Sequence, residues 1–191
     1  RMAGCSEEDM FDSDQIFKIS RLRLPWLLTN LIGGLITGVL LWFFQGTLSD
    51  AIFLVTFIPV ITGMGGNVGI QSSTIMVRGF ALGRITLGGL WSVLWKEFRV
   101  ALVMGLACGL VVGVVADLWH GKAMLGVVVG LAMVCGFSVA ALMGTLAPAL
   151  FKRLNIDPAI SAGPFVTTAN DIVGILIYFS FATLFYRFLV S

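Results

Sequence analysis

Between Pro158 and Tyr186 the chain carries a single charged side chain, Asp171, in an otherwise apolar and small-residue stretch. An ionised carboxylate near the middle of a bilayer costs several kcal/mol unless water, a cation or a partner compensates it. Thr167 and Thr168 precede it by four and three residues, so on a helix their hydroxyls share its face. Gly163-Pro164 lies two turns earlier. Pro164 has no N–H for the carbonyl of Ile160, and interrupted membrane helices are tolerated where the freed groups line a wet cavity. One helix face thus offers hard oxygens and one negative charge, a donor set for Mg²⁺, Ca²⁺ or Mn²⁺ more than for Zn²⁺ or Cu. The only histidine, His120, is expected in an external loop. Two readings stand: a hydrogen-bonded structural acid, or a site on an ion or proton path.

A second polar cluster occupies residues 62–74, TGMGGNVGIQSST, with Pro59 expected to kink the helix just before it. Asn67 and Gln71 are four apart on one face, which Gly63 continues. They read either as polar glue between helices or as a pore wall whose amides bind the waters of a hydrated ion. One Asp171 per chain matches half the charge of a divalent cation. Two copies across a homodimer axis would match all of it, and Mg²⁺, which sheds water reluctantly, would sit there still hydrated.

These residues must be held by membrane helices. The composition is 58% hydrophobic and only 12% charged, against about 25% charged in soluble domains. Charge-free stretches cover 24–49, 51–77, 123–151 and 172–186; about 20 apolar residues span a hydrocarbon core. The expected fold is an all-α bundle of five spans, at 25–44, 51–78, 88–117, 123–150 and 159–187. Turns are expected at Gln45-Gly46, Gly79–Arg84, Asp117–Lys122 and Asn155–Pro158. Without alternating strand patterns a β-barrel is not expected. Ten basic residues fall on the N-terminal side (Arg1, Lys18, Arg21, Arg23, Arg78, Arg84, Lys96, Arg99, Lys152, Arg153) and two opposite, Lys122 and Arg187. That bias puts the N terminus in the cytoplasm and the C terminus outside a cell (inner) membrane. Trp26, Trp42, Trp91, Trp95 and Trp119 fall near span ends, as interfacial aromatics do. Glycines four apart, at 34/38, 65/69, 105/109/113 and 126/130, predict close helix packing.

Residues 1–20 read as a cytoplasmic acidic linker ahead of a transmembrane domain over 21–191. Glu7, Glu8, Asp9, Asp12 and Asp14 form either a solvated linker or a negative vestibule that concentrates cations. The polar start argues against a signal peptide, and the absence of an initiator Met suggests a piece of a longer protein. Cys5, Cys108 and Cys135 lack metal-ligand spacing and read as small thiols. A net charge of +2 gives no reason to expect nucleic acid.

The run FIPVITGMGGNVGIQSSTIMVRG at 57–79 resembles the second membrane helix of the MgtE family of Mg²⁺ channels. DPAISAGPFVTTANDIVGILIYF at 157–179 resembles its fifth, and RLPWLLTN at 23–30 its first. The resemblance implies a homodimer with a shared central pore and a hydrated Mg²⁺ at Asp171, with Mn²⁺ and Co²⁺ as further candidates. Family members usually carry a cytoplasmic sensor with CBS domains, which is absent from this chain. Thr167 stands where the family often has Ala, and Ile70 where it commonly has a polar residue. Asp157 matches an acid near the cytoplasmic mouth where the family can bind an additional ion; equally, it reads as an N-cap before Pro158.

The expected function is divalent-cation permeation. The alternative is a carrier that couples H⁺ or Na⁺ at Asp171. An enzyme is not expected: an aspartyl protease in the membrane needs two facing acids, and a Ser–His device would depend on His120.

Overall fold

The computed structural model describes residues 16–190; Cys5 and the acidic cluster Glu7–Asp14 lie outside them. The described residues form helices α1 Ile16–Phe43, α2 Gln45–Asp50, α3 Ile58–Ala81, α4 Leu90–His120, α5 Ala123–Arg153, α6 Pro164–Leu184 and α7 Tyr186–Val190. Short 3₁₀ segments, Ile52–Phe57, Leu87–Gly89 and Pro158–Ala162, lead into α3, α4 and α6. Among the described residues no strand occurs. Five helical stretches are long and apolar enough to cross a membrane: Ile19–Phe43, Ile52–Ala81, Leu87–His120, Ala123–Arg153 and Pro164–Leu184.

The spans match the sequence expectation in number and order, and differ at their ends for identifiable reasons. Pro59 does not kink a helix interior. It sits in the first turn of α3, where its missing N–H leaves nothing unpaired. The expected fifth span, 159–187, is three pieces: Gly163 separates the 3₁₀ turn from α6, which Pro164 restarts, and Phe185 separates α6 from α7. The expected turn over Asp117–Lys122 shrinks to two residues. Helix α4 runs on through His120 and stops at Gly121, whose left-handed backbone (φ 63°) lets its N–H bond the carbonyl of Asp117 at 2.7 Å. His120 is therefore a helix terminus, not a loop residue, and its ring packs 5.8 Å from Phe53 and 6.0 Å from Phe57.

Helix α5 is the axis of the bundle and packs against α3, α4 and α6, while α1 leans chiefly on α6. Its buried stripe of Val128, Val129, Ala132, Met133, Phe137, Ala140 and Ala141 joins Leu54, Phe57 and Ile61 with Ile175, Tyr178 and Phe179 of α6. Backbone contact replaces side chains between α4 and α5: a Cβ at Gly109 would stand 2.8 Å from the carbonyl oxygen of Gly130. That is the small-residue packing expected in lipid, where the hydrophobic effect does not drive helices together. The pair Gly34/Gly38, expected to do the same, faces open space; it is Gly33 of α1 that meets Thr168 of α6.

The bundle has one basic end. Lys152 at the end of α5 lies over the Phe80 ring near the end of α3, 4.1 Å from its centroid. At the opposite end Lys122 donates to the carbonyl of Leu189 at 2.5 Å and lies 5.2 Å from the Phe53 ring. Trp42, Trp91, Trp95 and Trp119 are exposed. Exposed aromatics near span ends fit the interfacial role expected of them.

Candidate ion-permeation site

Helix α6 meets α3 along Val166, Asn170, Gly174 and Tyr178, all buried and four apart. Space for this seam comes from glycine: a Cβ at Gly69 would lie 2.7 Å from Val166 and would collide with Asn170. On the other side of Gly69, its carbonyl approaches Gly144 of α5. Asn170 donates from Nδ2 to the carbonyl of Gly65 at 3.4 Å, and its buried Oδ1 has no partner among the described residues. Tyr178 donates to the carbonyl of Leu54 at 3.0 Å. The second span is thus anchored to α6 at two levels, α3 through Gly65 and the 3₁₀ segment before it through Leu54.

Asp171 follows Asn170 and so points about 100° away from that seam. It is half-buried, and among the described residues it has no hydrogen-bond or ion-pair partner. The flanking hydroxyls are committed locally. Thr167 donates to the carbonyl of Pro164 at 3.1 Å, and Thr168 to Oδ1 of Asn30 in α1 at 3.2 Å. Gly163, Thr167 and Thr168 are partly buried. On α3, Asn67, Gln71 and Gly63 are all exposed, and nothing lies within 4 Å of a Cβ built on Gly63. The amides expected either as glue or as pore wall therefore do not glue helices together among the described residues.

Asp157 shows the capping geometry: its Oδ1 accepts from the N–H of Ala159 at 2.9 Å, opening the 3₁₀ turn. It is exposed and lines a recess of about 230 Å³ with Lys152, Phe80 and Pro158. Asp157 and Asp171 thus bracket the Gly163 break from either side. Among the described residues no three of His, Cys, Asp and Glu gather as a metal cluster. A cation at Asp171 would draw its other ligands from hydroxyl, amide, carbonyl or water oxygens, or from another copy.

Two polar groups escaped the sequence reading. Glu97 of α4 is only 7% exposed and accepts a hydrogen bond from Ser72 of α3 at 2.9 Å. In sequence it lies beside Lys96 and Arg99, whose charges make the segment read as the solvated end of a span. The available signal was its spacing, because Glu97, Ala101, Gly105 and Gly109 form one buried stripe at intervals of four. Asn170 could have been found likewise, lying four residues from both Val166 and Gly174. Ser72→Ala is expected to leave the Glu97 carboxyl without its donor and to destabilise the bundle by about 1–3 kcal/mol. A thermal melt checks this: the double variant Ser72→Ala/Glu97→Leu should recover part of the lost melting temperature, and an unchanged melt for Ser72→Ala alone would refute it.

Comparison with known proteins places these residues in context. Residues 58–181, more than half of the chain, match the MgtE family model, described as a divalent cation transporter. The chain is 34% identical over 185 residues to a magnesium transporter MgtE of Bacillus subtilis, covering 97% of this chain and 41% of that protein. It is 38% identical over 189 residues to the Enterococcus faecalis protein of the same name, covering 99% and 41%. The Thermus thermophilus protein of that name is 37% identical over 163 residues, covering 85% and 36%. The chain therefore spans about two fifths of the length of these relatives.

Proposed function

Because this chain belongs to the MgtE family of divalent cation transporters, we propose that it is the membrane part of a magnesium transporter, conducting hydrated Mg²⁺ past Asp171 through a pore shared by two copies. The observation that carries this reading is Asp171 itself, a half-buried carboxylate with no partner among the described residues. A structural acid at that depth would be expected to have a donor; one that waits for a cation need not.

The exposed row Gly63, Asn67 and Gln71 supports a wet wall beside it. Amides in that position can hydrogen-bond the waters of a hydrated ion, and the bare Gly63 leaves the bore open. A second copy facing the same surface would bring two carboxylates to one divalent ion. Asp157 is exposed at the far side of the Gly163 break, which supports a role for it in meeting ions at the basic end. That end we assign to the cytoplasm of a cell (inner) membrane, following the ten-to-two distribution of basic residues. Cytoplasmic sensing belongs in this reading to the remaining length of the relatives.

Ion uptake into liposomes tests the proposal. Mg²⁺ flux should persist without a proton or Na⁺ gradient; a strict need for either would make Asp171 a coupling site of a carrier. Selectivity follows from hydration. Mg²⁺, Mn²⁺ and Co²⁺ share octahedral water shells, whereas Ca²⁺ takes six to eight looser ligands. Competition should rank the first three together and Ca²⁺ apart, and a clear preference for Ca²⁺ would indicate direct coordination instead. Cysteines placed along α6 beside position 171 should crosslink between chains, and a monomer in bilayers would remove the shared pore.

A further inference from the structure

A threonine inside a helix can return its hydroxyl hydrogen to a carbonyl three or four residues back. Thr29, Thr37, Thr62, Thr145 and Thr167 all do so. Thr168 does not: its hydroxyl donates across to Oδ1 of Asn30 in α1 at 3.2 Å. Gly33 lets the two helices come this close, since a Cβ there would stand 2.9 Å from the Thr168 oxygen and overlap its methyl group. Asn30 is exposed, and its Nδ2 has no partner among the described residues. It lies seven residues beyond Arg23, about 10 Å further along α1. At that depth an amide with unbonded N–H groups against hydrocarbon is costly, whereas one facing a wet groove is not.

Helical geometry places that groove. Asn170 stands about 100° to one side of Asp171 and packs against α3. Thr168 stands about 60° to the other side, about 4.5 Å back along the axis, and packs against α1. Asp171 therefore looks out between α3 and α1, with Asn30 on the α1 side.

We propose that Asn30 is a positioning residue for permeation, acting through Thr168. With its hydrogen held by Asn30, the Thr168 oxygen is left as an acceptor. A hydrated cation at Asp171 presents water hydrogens to its surroundings, and this oxygen takes one of them. Helix α1 thus forms a wall of the path across from Asn67 and Gln71 of α3. This inference rests on the reading of Asp171 as the permeation site and adds a helix to it.

Mg²⁺ uptake into liposomes by folded variants tests it, with a thermal melt to verify the fold. Asn30→Leu removes the acceptor and should lower flux about fivefold, the worth of one ordinary hydrogen bond. Asn30→Ala carries the same expectation should the leucine variant fail to fold. Thr168→Val removes the hydroxyl at nearly constant shape and should cost as much. The double variant should lose no more than either single one, because Asn30 acts only through Thr168. Asn30→Asp keeps an acceptor oxygen in place and should hold flux at or above the wild-type level. Losses that multiply in the double variant, or an equal loss in Asn30→Asp and Asn30→Leu, would reduce the contact to packing and overturn the inference. Wild-type flux in Asn30→Leu beside lost flux in Asp171→Asn overturns it and leaves the reading of Asp171 intact. Wild-type flux in Asp171→Asn overturns both.

Discussion

Replacing Asp171 by Asn is expected to lower Mg²⁺ flux by about a hundredfold or more while leaving the bundle folded. Two unit charges 4 Å apart attract by about 4 kcal/mol at an effective dielectric near 20, and a divalent ion doubles the gross figure. Retained hydration water separates the ion from the carboxylate and reduces the net effect, and a loss of about 2.7 kcal/mol already corresponds to a hundredfold. Stability should be untouched, since Asp171 bonds no other described residue and Asn matches it in shape. Asp171→Glu keeps the charge, displaced by one methylene, and should retain part of the flux. Liposome uptake alongside a thermal melt reads both quantities. Wild-type flux in a well-folded Asp171→Asn variant would remove the acid from the mechanism.

The second large effect is expected at Gly69, where function and packing are coupled. A valine there would drive its side chain into Val166 and Asn170, the former only 2.7 Å from a built Cβ. Overpacking of this kind costs about 1–3 kcal/mol. It would also part α6 from α3, loosen the Asn170 bond to the Gly65 carbonyl and displace the neighbouring Asp171 from the position proposed for it in permeation. Gly69→Val should therefore lose melting temperature and flux together. Gly63→Ala, six residues earlier on the same helix, meets nothing within 4 Å and should melt as the wild type does. An unchanged melt for Gly69→Val, or a lowered one for Gly63→Ala, would contradict this α3–α6 packing.

Five spans, their order and their basic end were legible in the sequence because each is set by local composition. A helix in hydrocarbon must satisfy its backbone internally and present apolar side chains, so charge-free stretches mark it directly. Asp171 was legible for the same reason, as a lone charge in such a stretch. Family resemblance at 57–79 and 157–179 agrees with the family match over 58–181.

Tertiary structure decided which face each polar residue presents, because a helix in lipid is apolar all round and its pattern does not tell protein from membrane. Gly34 and Gly38 carry the same spacing as Gly105 and Gly109, yet the first pair faces open space and the second lies against α5. Asn170 and Asp171 are adjacent in sequence, but the turn of the helix buries one against Gly69 and leaves the other without a partner among the described residues. Glu97 shows the opposite: among basic residues at the edge of a span it reads as solvated, and only the approach of α3 supplies the Ser72 hydroxyl that makes its burial tolerable. Local composition determined where the chain crosses the membrane. Which of its few polar groups bond within the bundle and which stay open depended on contacts between residues as far apart as Gly69 and Asn170, and no local pattern encodes those.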